Sequence, residues 1–107
     1  MSDKSTVDDI RSAAPGTLRI IDIRKKPDEK QIPHSERYSG EALANADELP
    51  FGKDENVVLY CGSGNSCSVL AEQLRGKGYR TTALDGGYAA WKDANLPLEN
   101  ISEQRDV

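Results

Sequence analysis

Residues 57–74 read VVLYCGSGNSCSVLAEQL, and three pieces meet in them. Val57-Val58-Leu59-Tyr60 is a short apolar run of the kind that forms a buried strand. Cys67, Leu70, Ala71 and Leu74 stand at i, i+3, i+4 and i+7, so they share one face of a helix that takes in Ser68 to Leu74. Between the two lie Cys61-Gly62-Ser63-Gly64-Asn65-Ser66, whose glycines and small polar residues permit a tight turn. A cysteine at the C-terminal end of a strand emerges at the rim of a sheet. The loop after it can curl its amides inward as an anion-binding nest, and the following helix adds its own N–H groups and the positive end of its dipole. Such a position lowers a thiol pKa, so this stretch predicts an activated sulfur nucleophile, Cys61, at the base of an anion cradle.

Outward from this centre, the rest of the chain alternates between helix and strand. Residues 1–5 are polar and read as frayed. Ser5 or Thr6 can cap a helix over Val7 to Ala13, with Asp8 and Asp9 in its favourable first turn, and Pro15-Gly16 ends it. Leu18 to Ile23 is apolar and β-rich and reads as an inner parallel strand. Lys25 to Glu36, with Pro27 and Pro33, reads as a loop, Glu41 to Leu49 as a short helix stopped by Pro50, and 52–56 as a turn into the central strand. Gly76 and Gly78 close the central helix, Arg80 to Leu84 is a further strand, and Asp85-Gly86-Gly87 turns into a last helix over Tyr88 to Ala94. Leu98 to Val107 reads as a loose tail. The pattern predicts an α/β fold with a mostly parallel central sheet flanked by helices on both faces, its site outside the C-terminal ends of the strands.

With 107 residues the chain is expected to form a single domain, its core between about residues 18 and 97 and its termini loose. A net charge of −4 with scattered basic residues argues against nucleic acid or an anionic membrane as partners. Two cysteines six positions apart are no disulfide framework, and with His34 as the sole histidine they form no zinc site, so no metal is expected. No apolar leader or membrane-length segment is visible, and a reducing cytoplasm is the expected compartment.

The motifs in their order carry a resemblance. LRIIDIRKKPDE (18–29), Ile32-Pro33, VVLYCGSGNS (57–66), Gly78-Tyr79 and LDGGYAAW (84–91) together resemble a single-domain rhodanese, over Leu18 to Pro97. The resemblance implies the rhodanese fold and sulfurtransferase chemistry. Cys61 would accept a sulfane sulfur as a persulfide and pass it to a thiol or to cyanide, with no cofactor. The implied partners are a small sulfur donor, thiosulfate or a persulfide, and a thiol acceptor that can itself be a protein. Gly62, Ser63, Gly64, Asn65 and Ser66 would complete a six-residue active-site loop with Cys61, the length that fits sulfane sulfur; a loop one residue longer would fit a tetrahedral oxyanion. Asp22 and Arg24 match an Asp-x-Arg usually used as a structural ion pair, and Asp85-Gly86-Gly87 with Trp91 match a packing motif. Two departures stand out: Gly62 and Ser66 occupy places where many thiosulfate-using members carry arginine or lysine, and His34-Ser35-Glu36-Arg37 replaces a run where small residues are common.

Cys67 admits two readings, a small apolar packer in the core or a resolving thiol able to close a Cys61–Cys67 disulfide. Ser63, Asn65 and Ser66 can satisfy loop backbone groups, with Ser66 capping the helix. His34 reads as solvated, and Tyr79, Tyr88 and Trp91 as packing. The alternative to a sulfurtransferase is a non-catalytic rhodanese-like binding or thiol-sensing module that uses Cys61 and Cys67. A phosphatase or arsenate reductase is a weaker alternative: Cys67 stands where a phosphatase loop would place its oxyanion-clamping arginine, an argument that leaves arsenate reduction through a Cys pair open.

Overall fold

The computed structural model describes residues 4–12, 18–24, 30–62 and 65–100. Their elements run β1 (Lys4–Ser5), α1 (Val7–Ser12), β2 (Arg19–Asp22), β3 (Lys30–Gln31), β4 (Ser35–Arg37), α2 (Gly40–Asn45), β5 (Asn56–Tyr60), α3 (Asn65–Gly76), β6 (Arg80–Leu84), α4 (Gly87–Asp93) and β7 (Glu99–Asn100).

Five of the strands form one sheet in the order β1-β6-β5-β2-β4, every pair parallel. β5 lies at its centre with β2 and β6 on either side. Side chains alternate across the sheet, and each face is covered. Ile21, Val57, Leu59 and Ala83 point to one face, where Leu43 of α2 and Leu70, Ala71 and Leu74 of α3 close over them. Ile20, Val58, Tyr60 and Leu84 point to the other, against Ile10 of α1 and Tyr88 and Trp91 of α4. Burial on both faces is why β2 and β5 read as near-continuous apolar runs. The expected α/β architecture, with a mostly parallel sheet between helices, holds.

Local chemistry sets several boundaries. Thr6 Oγ1 accepts from the Asp9 N–H at 3.1 Å while the Thr6 N–H donates to Asp9 at 2.9 Å, a reciprocal cap that starts α1. Ser39 caps α2 by accepting from the Ala42 N–H at 3.2 Å, and α2 ends at Asn45, four residues short of the expected Leu49, because the chain turns extended at Ala46. Ala13, the expected last residue of α1, lies outside the described residues.

Four short strands depart from the sequence reading. Lys4–Ser5, expected to be frayed, pairs with Ala83–Leu84 and is held further by Ser5 Oγ to Thr82 Oγ1 at 2.7 Å. Within the expected loop, Ser35–Arg37 adds to the sheet edge beside β2, and Lys30–Gln31 pairs antiparallel with Glu99–Asn100. The expected tail is therefore anchored at its start, where the Trp91 indole N–H also donates to the Pro97 carbonyl at 2.8 Å.

Candidate active site

β5 ends at Tyr60, and Cys61 is the next residue, at the C-terminal edge of the parallel sheet. Cys61 is 7% exposed and is among the residues that line a cleft of about 1070 Å³. Gly62, Leu70, Val69, Tyr38 and Arg37 also line this cleft. Val69 is 59% exposed and gives the α3 side of the cleft an apolar lip.

Two helix N-termini meet Cys61. The Sγ atoms of Cys61 and Cys67 lie 3.5 Å apart, which brings the first turn of α3, and with it the positive end of the helix dipole, next to the Cys61 sulfur. α4 holds the backbone. Its Tyr88 N–H donates to the Cys61 carbonyl at 2.8 Å and its Ala89 N–H to the Gly62 carbonyl at 3.1 Å. Amides left over at the start of one helix thus fix the first two residues of the loop. This grip depends on Gly86 and Gly87, both at positive φ (78° and 60°), where glycine carries no steric penalty. The sequence places Asp85-Gly86-Gly87 as a turn into the last helix and a packing motif; that the turn also brings the α4 amides onto the Cys61 and Gly62 carbonyls leaves no local signal.

Cys67 is fully buried among the α3 core residues, as its helical spacing predicts, and it also touches Cys61. With both groups as thiols, Cys61 donates to Cys67; once Cys61 ionises, the Cys67 proton faces a thiolate. The hydrogen bond with Cys61, burial and the charge on Cys61 all push the Cys67 pKa far above the ordinary thiol value. Cys67 therefore holds its proton more firmly than an ordinary thiol.

Asp22 and Arg24 form the expected ion pair. Asp22 is fully buried and Arg24 8% exposed. The Arg24 guanidinium donates through Nε at 3.0 and 3.1 Å and through a terminal nitrogen at 2.8 Å, and it lies 4.0 Å over the Tyr88 ring. Burial works against the Arg24 charge, but hydrogen bonding and attraction to Asp22 outweigh it and raise its pKa. A third member was missed. Arg37 donates to Asp22 at 2.9 Å and lines the cleft, so both guanidiniums bond to the same carboxylate. It lies in the run already singled out as unusual, but the sheet pairing that carries it to Asp22 leaves no local pattern.

The other loop residues are placed differently from expectation or not at all. Asn65 and Ser66 open α3 and do not close the loop, in keeping with the preference of small polar residues for a helix start. Ser63 and Gly64 lie outside the described residues. His34 is exposed at φ 68° and is not among the described cleft-lining residues; its left-handed backbone explains why small residues suit that run. Among the described residues, no group of three or more His, Cys, Asp or Glu side chains could hold a metal ion, and no helix is long and apolar enough to cross a membrane.

A parallel α/β sheet with a thiol at the tip of its central strand, beside the N-terminus of the next helix, defines a class of proteins arranged for cysteine chemistry. The particular member of that class is clear from sequence. Residues 6–94 match the model of the rhodanese-like domain, and the chain belongs to that family. It is 32% identical to the thiosulfate sulfurtransferase GlpE of Vibrio cholerae over 85 residues, 75% of this chain and 77% of that protein. It is also 36% identical over 80 residues to a tRNA sulfurtransferase of Desulfurococcus amylolyticus, covering 73% of this chain but only 16% of that much longer protein. In three dimensions it is similar to the rhodanese-like domain of an Anabaena protein, with a TM-score of 0.80 at 23% identity over 99% of this chain and 85% of that one.

Proposed function

We propose that the protein is a sulfurtransferase, folded as a single domain, that carries sulfane sulfur as a persulfide on Cys61. The observation that carries this reading is the placement of Cys61 in the lining of the cleft beside the N-terminus of α3, with its Sγ 3.5 Å from that of Cys67. The Cys61 thiolate attacks the outer sulfur of a donor. With thiosulfate, the bond between the sulfurs breaks and sulfite leaves with its electron pair. An acceptor thiolate, or cyanide, then attacks the outer sulfur and restores the Cys61 thiolate. The amides from Gly62 through Ser66, the last two in the first turn of α3, bind the outer sulfur and the leaving anion.

The choice of donor follows from charge. Gly62 and Ser66 supply no cation inside the loop, so thiosulfate binds weakly, held by the amides, with the Arg24 and Arg37 guanidiniums in the cleft wall. A persulfide, on a small molecule or a protein, is the better donor, and the cleft of about 1070 Å³ has room for one. The chemistry suits a reducing compartment such as the cytoplasm.

Incubation with thiosulfate or a small organic persulfide, followed by intact-mass measurement and peptide mapping, tests the proposal. A reductant-sensitive gain of one sulfur on the Cys61 peptide, absent in Cys61→Ser, is expected. No gain with either donor, in the wild type or in Cys67→Ser, would refute it and favour a thiol-sensing module, the second reading, which the 3.5 Å contact of the two sulfurs supports.

A further inference from the structure

We propose a second activity for the loaded protein: Cys67 discharges it from within, closing a Cys61–Cys67 disulfide and expelling the carried sulfur as sulfide. The inference rests on the sulfur-carrier reading of Cys61.

The geometry separates two routes of attack. An external acceptor enters by the cleft and meets the outer sulfur. Cys67 is fully buried, packed with the α3 core residues, and its Sγ lies 3.5 Å from the Cys61 Sγ, the inner sulfur of a persulfide. That separation is within the range of about 3–3.5 Å at which reacting atoms are poised for attack. Attack from the core side on the inner sulfur expels the outer one toward the cleft.

The step balances without an outside oxidant. Starting from the Cys61 persulfide anion and the Cys67 thiol, the bond between the two Sγ atoms forms and the bond from Cys61 Sγ to the outer sulfur breaks. The outer sulfur leaves with that electron pair and takes up the Cys67 proton, departing as hydrosulfide. The sulfane sulfur is reduced to sulfide while each cysteine sulfur is oxidised by one electron. A dithiol reductant, small or protein-borne, resets the pair.

Loading the sulfur also arms the attacker. In the resting protein, the hydrogen bond to Cys61 and the charge on Cys61 hold the proton on Cys67. Once the persulfide forms, the negative charge moves to the outer sulfur and the inner sulfur becomes neutral. Burial then remains as the main restraint on Cys67. The loaded protein thus has a limited lifetime, and an acceptor must take the sulfur before Cys67 converts it to sulfide.

The test loads the full chain with thiosulfate or a small organic persulfide, removes the donor by desalting and follows intact mass without acceptor. Sulfide is trapped with monobromobimane and the products are mapped as peptides. The wild-type protein is expected to lose its extra sulfur, release one sulfide per loaded chain and yield a Cys61–Cys67 linked peptide at a rate independent of protein concentration. Cys67→Ser is expected to stay loaded for roughly tenfold longer or more. Cys67→Ala serves the same purpose should serine fold poorly in the core. The wild-type linked peptide is a readout that needs neither variant. Equal lifetimes in wild type and variants, or sulfur loss without the link, would overturn the inference and leave the carrier reading intact. Failure of Cys61 to load at all would overturn both.

Discussion

Replacing Asp22 with asparagine tests whether the ion cluster beside the site is architecture or chemistry. The Asp22 carboxylate is fully buried. It accepts from the Arg24 backbone N–H at 2.9 Å, from the Arg24 guanidinium between 2.8 and 3.1 Å, and from Arg37 at 2.9 Å. The asparagine side chain would keep the shape but turn one acceptor into a donor that faces a guanidinium, and it would remove the counter-charge of two cations. Losing one partner of a buried pair costs about 3–5 kcal/mol. The lower end applies here, because the Arg37 side chain is 34% exposed and can turn to water, while Arg24 keeps its place over the Tyr88 ring. A loss of about 3 kcal/mol, with a urea dependence of about 2 kcal/mol per molar, lowers the unfolding midpoint by about 1.5 M. Trp91, the sole tryptophan and 5% exposed on α4, reports the transition by fluorescence. Sulfur uptake per folded molecule should stay close to that of the wild type. A midpoint shift below about 0.3 M would refute the energetic argument. Loss of uptake with an unaltered midpoint would move Asp22 from the framework into the reaction.

Other perturbations probe the loop and its supports. A Cβ on Gly62 meets nothing within 4 Å, so Gly62→Arg should fold normally and lower the KM for thiosulfate by supplying the absent loop cation; an unchanged KM in steady-state assays would refute that account. Gly86→Ala places a Cβ 2.6 Å from that of Ala90 at φ 78° and should cost about 2–4 kcal/mol, read by denaturant unfolding, while loosening the α4 grip on Cys61 and Gly62. Tyr60 is fully buried and donates or accepts at Ser35 Oγ (2.9 Å) while accepting from the Ile32 N–H (3.3 Å). Burial raises its pKa well above the ordinary value of 10.0, so its share of stability is intact below that pH and is lost as pH climbs past it. Tyr60→Phe should remove this alkaline loss from the stability-against-pH curve and cost about 1–2 kcal/mol at neutral pH, whereas parallel curves for the two proteins would refute the assignment.

What could be read from the sequence follows element length and burial. β2, β5 and β6 were readable because four or five successive residues with buried faces leave an apolar run, and α3 because Cys67, Leu70, Ala71 and Leu74 repeat at helical spacing. β1, β3, β4 and β7 were not, since two or three residues cannot display a period. Their order comes from partners distant in sequence, as when Ser35 meets Tyr60 and Arg37 meets Asp22. The site divides the same way. Cys61 was legible from the strand, loop and helix that adjoin it in the chain. Arg37 and the α4 amides reach the site through sheet pairing and two glycines at positive φ, and the sulfur contact depends on side-chain directions across a turn.

β1 also bears on how the chain assembles. Its partners, Ala83 and Leu84, emerge some eighty residues after Lys4 and Ser5, so the earliest strand in the chain is among the last to find its neighbour. Until then the outer edge of β6 offers unsatisfied backbone groups to any extended segment nearby. Nascent chains held at high local concentration would be most exposed to pairing with one another at that edge. A few polar residues at the start of the fold thereby act as a guard against self-association, one that works only once most of the domain has been made.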